Sequence, residues 1–156
     1  LTGVANRRFL DFYIDNEIKK ANDFHVNFGL LFIDIDHFKH VNDTYGHGTG
    51  DVVLTELAQL IKSNLRNNDI IGRFGGEEFL VVLHVDDIDL TKMIAEKIRS
   101  IVEKYTFDHD NNKLKLTVSI GGTIFNETDT MLSIVKRADQ NMYHAKETGR
   151  NKVTIK

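Results

Sequence analysis

The stretch Phe28-Gly-Leu-Leu-Phe-Ile-Asp-Ile-Asp36 decides the fold, because it is almost continuously apolar and carries acids only at its end. A run of this kind is expected of a central strand that is covered on both faces. Asp34 and Asp36 lie two residues apart, so the alternation of side chains along a strand points both carboxylates the same way. The stretch therefore predicts a buried strand with a pair of acids at one end.

A second pair of acids lies in a predicted β-hairpin. The apolar runs from Ile70 to Phe74 and from Phe79 to Val85 flank Gly75-Gly-Glu-Glu78, which is typical of a turn between paired strands. If the hairpin pairs beside the first strand, one of its acids meets Asp34 and forms an oxygen-ligand site for Mg²⁺, which usually also takes substrate phosphates. Single acids at strand ends are commonly only solvated, but four at two neighbouring ends favour a nucleotide site.

The remaining segments predict helices packed on the sheet. Helical periodicity covers residues 4–24, about 52–67, 90–105 and 131–148, with a polar, glycine-rich stretch at 42–51. Strand patterns cover residues 114–125 and 153–155. The predicted fold class is α/β (α+β), with a mixed central sheet of about five strands flanked by helices.

Composition narrows the possible partners. The 156 residues, 41% hydrophobic, suit a single domain spanning 1–156, and the Leu at position 1 leads us to expect excision from a longer chain. A net charge of -3 argues against binding to duplex nucleic acid or an anionic membrane. The chain has no Cys, and no apolar run reaches the roughly 20 residues that span a bilayer. We expect a cytoplasmic domain, with a membrane anchor elsewhere in the full-length protein left open.

Five ordered blocks of this sequence resemble the GGDEF domain family, whose active members make cyclic di-GMP from GTP. The blocks are Leu1-Thr-Gly-Val-Ala-Asn-Arg-Arg8, Asp34-Ile-Asp-His-Phe-Lys-His-Val-Asn-Asp43 with its continuation to Asp51, Arg73-Phe-Gly-Gly-Glu-Glu-Phe79, Ser119-Ile-Gly121, and Ala138-Asp139 through Asn151. The resemblance covers nearly the whole chain. It implies a fold like the nucleotidyl cyclase and polymerase palm, and a diguanylate cyclase that condenses two GTP molecules.

The resemblance also implies the metal ligands and catalytic acids. Asp34, the backbone carbonyl of Ile35, and Glu77 would bind Mg²⁺, with two ions per site and Mn²⁺ as an alternative. Glu77 would also take the proton from the attacking 3′-hydroxyl, and Glu78 would support the metal site. Lys39 is counted with the catalytic residues because the resemblance places it against the phosphates.

The same resemblance assigns the base-binding residues. Asn42 and Asp51 align with the pair that reads guanine, and a carboxylate suits the guanine N1–H and N2–H₂ donors. Taken by itself, Asn42 is more simply interpreted as a turn or cap residue. His47 lies between them and either touches the base or orders the glycine-rich turn.

Other residues align with phosphate contacts. Lys146 and Arg150 match them in addition to Lys39, although cations near a helix C-terminus are also favoured by the helix dipole. Phe38 is interpreted as a packing or turn residue whose amide faces phosphate.

Arg66-Asn-Asn-Asp69 forms an R-x-x-D pattern five residues before Gly75. The resemblance places the product-binding inhibitory site there. Arg66 would bind guanine O6 and N7, and Asp69 would accept from the opposite edge of the base. The plainer interpretation is an Arg at a helix C-terminus followed by a capping acid. The resemblance further implies catalysis by an antiparallel homodimer, with one GTP per domain.

Two alternatives remain at this point. One is a non-catalytic module that binds GTP or cyclic di-GMP and reports it to a partner. The other is a different nucleotidyl-transfer enzyme on a palm-like sheet, such as an adenylyl cyclase or part of a polymerase. The retained acids argue against the first, and the guanine pair with the R-x-x-D pattern argues against the second.

Overall fold

A computed structural model describes residues 2–156, so Leu1 of the opening block lies outside the described residues. Within that range the helices and strands alternate along most of the chain. Their bounds are α1 (Arg7–Phe24), β1 (Gly29–Ile35), α2 (Phe38–Tyr45), α3 (His47–Ser63), β2 (Ile70–Gly75), β3 (Glu78–Leu83), α4 (Ile88–Lys104), β4 (Thr106–His109), β5 (Asn112–Lys115), β6 (Val118–Ile124), α5 (Met131–Glu147) and β7 (Val153–Ile155).

The main sheet formed by the described residues has five strands in the order β2-β3-β1-β6-β7. The β1 strand pairs antiparallel with β3 on one side and with β6 on the other, whereas β6 and β7 are parallel. The predicted mixed five-stranded sheet with flanking helices is therefore confirmed, and the acidic stretch lies on its central strand.

Two hydrophobic layers cover the sheet, and β1 contributes to both. Leu31 and Ile33 pack with the apolar sides of α3 and α4, whereas Leu30 and Phe32 pack with those of α1 and α5. Every β1 residue is buried, as its unbroken apolar pattern predicts. Among residues 2–156, no helix is both long and apolar enough to cross a membrane.

The polar, glycine-rich stretch at 42–51, for which the sequence predicted no helix, is helical on both sides of Gly46. Helix α2 ends at Tyr45, and α3 begins at His47 rather than at Val52 and ends at Ser63 rather than near residue 67. The cause lies in close packing, because a Cβ added at Gly50 would come within 1.9 Å of Asn42 Oδ1. A residue that usually disfavours helices is required here to let α2 approach α3.

The single strand predicted at 114–125 is divided in two. Residues Asn112–Lys115 form β5, which pairs with β4 in a separate two-stranded sheet, and β6 begins only at Val118. Asp110 and Asn111 make the β4–β5 turn with φ of 49° and 63°. Left-handed Asp and Asn residues are typical of tight hairpin turns, which periodicity within 114–125 does not reveal.

A partly buried ion pair fastens α5 to the end of β6 and to the loop between them. Arg137 Nη2 lies 2.7 Å from Asp129 Oδ2, and its Nε donates to Thr123 Oγ1 at 2.6 Å. Burial alone would raise the pKa of Asp129, but hydrogen bonds from Arg137, the Asn126 amide and Ser133 outweigh it and lower that pKa from 3.8 to about 2. The charged form of Asp129 therefore stabilises the folded state.

We predict that Asp129→Asn lowers the free energy of unfolding by about 2 kcal/mol at neutral pH, because the neutral amide loses the charge-assisted hydrogen bonds from Arg137. Because the folded pKa is depressed, this stabilisation is present above about pH 4 and is lost as the pH falls toward 2. Urea denaturation of both proteins from pH 7 to pH 2.5 measures the difference, with exposed Asp23→Asn as the control. A gap that does not narrow below pH 4 would contradict the assignment.

Candidate active site

Two carboxylates meet across neighbouring strands at the acidic end of β1. Asp34 lies directly opposite Glu78 in the antiparallel β1–β3 ladder, and the Ile35 amide donates to the Glu77 carbonyl at 3.4 Å. Directly opposed residues in such a ladder have Cβ atoms about 5 Å apart. The prediction that a hairpin acid meets Asp34 is confirmed, and that acid is Glu78.

The hairpin tip that carries Glu77 is a two-residue turn. Gly75 pairs with Glu78, which leaves Gly76 and Glu77 between the strands. Gly76 has a positive φ of 44°, and its carbonyl accepts a hydrogen bond from Arg73 Nε at 2.9 Å. The turn therefore holds Glu77 next to the Asp34–Glu78 pair.

Helix α5 brings a cation to the same place. The helix lies directly on β6, because a Cβ added at Gly121 would sit 2.0 Å from the Met142 amide nitrogen and 2.1 Å from the Ala138 carbonyl oxygen. One turn beyond Met142, Lys146 Nζ donates to Asp34 Oδ1 at 2.7 Å. Glycine at position 121 thus lets α5 lie close enough to the sheet for Lys146 to reach Asp34.

The acids remain crowded even with Lys146 present. Burial raises the pKa of Asp34 to about 6, and the charges of Glu77 and Asp36 act in the same direction, while Lys146 opposes them. Burial also raises the pKa of Glu78, with additional repulsion from Asp34 and Asp139. The site therefore holds more negative charge than Lys146 neutralises.

This donor set fits a hard divalent cation. Across residues 2–156, no three His, Cys, Asp or Glu side chains already form a metal cage. Mg²⁺ does not require one, because it commonly takes one or two carboxylates and completes its shell with water and phosphate oxygens. Asp34, Glu77 and Glu78 are all oxygen donors, and their mutual repulsion is relieved by added positive charge.

The predicted base-binding residues lie on α2 and α3. Asn42 is half-buried on α2 against Gly50, the residue that precedes exposed Asp51 on α3. Phe38 is buried at the start of α2, as expected for a packing residue, and its ring would lie 3.3 Å from a Cβ added at Gly50. His47 is exposed at the first position of α3. The fold thus brings Asn42 and Asp51 to one helix–helix junction.

The other two predicted phosphate-binding cations are exposed. Lys39 follows Phe38 in the first turn of α2, and Arg150 lies in the turn after α5 with a φ of 63°. The Arg150 amide donates to the Ala145 carbonyl at 3.0 Å, which ties that turn back to the helix. Arg150 and Lys146 are therefore carried by the same end of α5.

Arg66 and Asp69 have different environments. Arg66 is largely exposed, and its Nη2 donates to the His84 carbonyl at 2.7 Å. Asp69 is buried, with one carboxylate oxygen accepting from the Arg66 amide and the other from the His84 amide, each at 3.1 Å. In this structure Asp69 fastens the loop after α3 to the end of β3.

The sequence did not indicate the hydrogen bonds that surround Asp36 next to the site. Asp36 is 2% exposed and accepts hydrogen bonds from Thr117, Ser119 and the Asn151 amide. The only sequence signal was its spacing from Asp34, which by itself suggests a second metal ligand, whereas the family resemblance makes Asp36 secondary. Its partners are 81 to 115 residues away along the chain, too far for a local pattern to indicate them.

Together, the sheet order and the acids at the end of β1 and in the β2–β3 turn define a domain of the nucleotidyl cyclase palm class. The family model described as diguanylate cyclase, GGDEF domain, matches residues 1–152. The chain therefore belongs to the GGDEF family.

Similar proteins are named as diguanylate cyclases. Diguanylate cyclase A of Treponema denticola is 46% identical over 127 residues, which cover 81% of this chain and 34% of that protein. Diguanylate cyclase DosC of Escherichia coli K12 is 40% identical over 156 residues, covering 99% of this chain and 34% of that protein. The chain thus spans about a third of the length of these curated relatives.

A solved structure matches over nearly the full length of both chains. The GGDEF domain of DgcB from Caulobacter crescentus, in complex with c-di-GMP, has a TM-score of 0.94 and 32% identity. The match covers 99% of this chain and 92% of that one. This similarity confirms the predicted fold class.

We predict that Lys146→Met raises the pKa of Asp34 above its value of about 6, because the Lys146 hydrogen bond and charge are what lower it. The measurement is an NMR titration of the Asp34 carboxyl carbon with divalent metal removed. Lys136→Met, on the exposed side of the same helix, is the matched control and should leave the titration unchanged. An unchanged midpoint in Lys146→Met would show that the ion pair does not form in solution.

Proposed function

We propose that residues 1–156 form one catalytic domain that joins two GTP molecules into cyclic di-GMP and releases two pyrophosphates. The observation that carries this proposal is the facing pair Asp34 and Glu78, with Lys146 beside it, in a chain whose residues 1–152 match the family model. Because GTP is a cytoplasmic nucleotide, we place the reaction on the cytoplasmic side of the cell.

Asp34, the Ile35 carbonyl and Glu77 would bind the Mg²⁺ ions, two per site, with Glu78 in support and Mn²⁺ as a substitute. Bound metal would activate the attacking hydroxyl and neutralise charge on the phosphates. Support for this assignment comes from the raised pKa of Asp34, which reflects burial and nearby acids. Charge that Lys146 leaves uncompensated favours a cation at this position.

Asn42 and Asp51 would select guanine. Asp51 accepts from N1–H and N2–H₂ of guanine, donors that adenine does not present in that arrangement, while Asn42 donates to a ring acceptor. An unpaired carboxylate facing adenine would cost about 1–3 kcal/mol or more. The close approach of α2 and α3 at Gly50 supports this assignment, because it brings Asn42 next to the residue that precedes Asp51. His47 would order the first turn of α3.

Lys39, Lys146 and Arg150 would bind the phosphates, and the Phe38 amide at the start of α2 would face them. Lys146 already contacts Asp34, so the same ammonium can bridge a metal ligand and a phosphate oxygen. Arg150 offers a planar guanidinium that can bind two phosphate oxygens together.

The chemical step needs two domains that face each other in antiparallel fashion. The 3′-oxygen of one GTP attacks the α-phosphorus of the other, a new P–O bond forms, and the bond to the β-phosphate oxygen breaks to release pyrophosphate. The proton of the 3′-hydroxyl passes to Glu77. The same step in the opposite direction closes the ring, so each domain contributes one GTP.

The purified domain should convert GTP, but not ATP, to cyclic di-GMP in the presence of Mg²⁺, and its specific activity should rise with protein concentration because the active unit is a dimer. Chromatography of the products measures the reaction. Glu77→Gln should lower turnover by about a hundredfold or more, since it removes a metal ligand and the proton acceptor. Glu127→Gln, an exposed acid in the loop before α5, is the control.

The absence of product from a domain that is forced to dimerise would contradict the enzyme assignment. Binding of GTP or cyclic di-GMP without turnover would then support the non-catalytic module.

Arg66 and Asp69 would form an inhibitory site for the product. We predict that Arg66→Ala keeps turnover but raises the cyclic di-GMP concentration for half-inhibition by about tenfold or more, because a bidentate contact to guanine is lost. Initial rates at a series of product concentrations measure the effect. Arg8→Ala, which removes an exposed Arg from α1, should leave inhibition intact. Equal inhibition of the Arg66 variant and the wild type would remove this site from the proposal.

A further inference from the structure

The most completely enclosed acid near the site is Asp36. Its Oδ2 accepts from Thr117 Oγ1 at 2.7 Å and from the Asn151 amide at 2.9 Å, and its Oδ1 accepts from Ser119 Oγ at 2.7 Å. These three donors are neutral, so hydrogen-bond geometry, and not an ion pair, holds the carboxylate in its orientation. Asp36 therefore ties the end of β1 to β6 and to the turn after α5.

That turn, residues 148–152, has an unusual backbone. Arg150 and Asn151 are consecutive left-handed residues with φ of 63° and 47°. Asn tolerates this region better than most residues, whereas Arg is strained there. Contacts must hold the turn in place, and the hydrogen bond from the Asn151 amide to Asp36 is one of them.

The Asn151 side chain adds a second anchor, on α4. Its Oδ1 accepts from Arg99 Nη1 at 3.0 Å, and its Nδ2 donates to Glu103. Arg99 also pairs with Glu96 on the same helix. Asn151 thus links α4, the turn and Asp36.

We propose that Asp36 and Asn151 are positioning residues that lock the 148–152 turn, and with it Arg150 and Lys146, at a fixed distance from Asp34. Asp36 follows Asp34 by two residues, while Arg150 precedes Asn151 directly. Each end of the Asp36–Asn151 contact is therefore rigidly linked to one half of the phosphate and metal site. This inference rests on the proposed function of that site.

A competing role for Asp36 is direct metal binding, for which its charge would be essential. A positioning role instead requires only that the side chain at position 36 has the shape and hydrogen-bonding atoms of Asp36. In Asp36→Asn the amide oxygen can still accept from Thr117 and Asn151, and the amide nitrogen can donate to Ser119 Oγ. Asp36→Ala leaves all three donors without their acceptor.

The experiment measures the affinity of wild type and variants for guanosine and for the unreactive α,β-methylene analogue of GTP, both with Mg²⁺, by NMR titration. We expect Asp36→Ala and Asn151→Ala to weaken analogue binding by about tenfold or more, as for other residues that orient ligand-binding groups, with guanosine binding nearly unchanged. Asp36→Asn should stay within about threefold of wild type. Asn111→Ala replaces another left-handed Asn, in the β4–β5 turn, and should change neither affinity.

Equal losses of affinity for guanosine and for the GTP analogue would show general destabilisation. An Asp36→Asn variant that binds the analogue as weakly as Asp36→Ala would show that the charge of Asp36 is essential. Either result overturns the inference. Hydrogen exchange of the Asn151 amide gives an independent result without nucleotide: slow in wild type and Asp36→Asn, fast in Asp36→Ala. Fast exchange in wild type would overturn the anchoring itself. If wild type binds neither ligand, the proposed function fails, while the exchange result still decides whether Asp36 holds the turn.

Discussion

Burial of two carboxylates at the end of the central strand is the constraint on which the surrounding architecture depends. An ionised group removed from water is unfavourable unless hydrogen bonds or opposite charge compensate it. Asp34 receives Lys146 from α5, whereas Asp36 receives two hydroxyls and a backbone amide. These partners come from β6, α5 and the turn beyond it, so those elements must converge on one point.

The convergence explains features that would otherwise be costly. Gly121 has no side chain, and its position in the middle of β6 lets the α5 backbone lie against the strand. Arg150 adopts a left-handed conformation, and this returns the chain toward β7 and aims the Asn151 amide at Asp36. Both features would weaken an isolated element. They are retained where the same residues bring cations to buried acids.

The parts of the fold that were predictable from sequence are those with a local signal. The apolar run of β1 and the glycine turn between β2 and β3 indicated the central strand, the hairpin and the meeting of a hairpin acid with Asp34. Helix α2 and the first turn of α3 were missed because Gly50 lets Asn42 pack closely against α3. A single sequence does not distinguish a glycine needed for close packing from a glycine needed for a turn. The Lys146–Asp34 contact joins residues 112 apart, and the family resemblance had assigned Lys146 to phosphate alone.

The proposed inhibitory site shows how structure separates residues that a motif treats alike. In the R-x-x-D pattern, Arg66 is largely exposed, but Asp69 is buried with each oxygen already accepting a backbone amide. A carboxylate has about four acceptor positions, so Asp69 can still accept from a guanine edge, but only in the orientation that the Arg66 and His84 amides impose. His84 is itself held, because its Nε2 lies 3.3 Å from buried Glu17 and 3.2 Å from the Tyr13 hydroxyl. Helix α1, which carries neither residue of the motif, therefore contributes to the geometry with which Asp69 would meet a base.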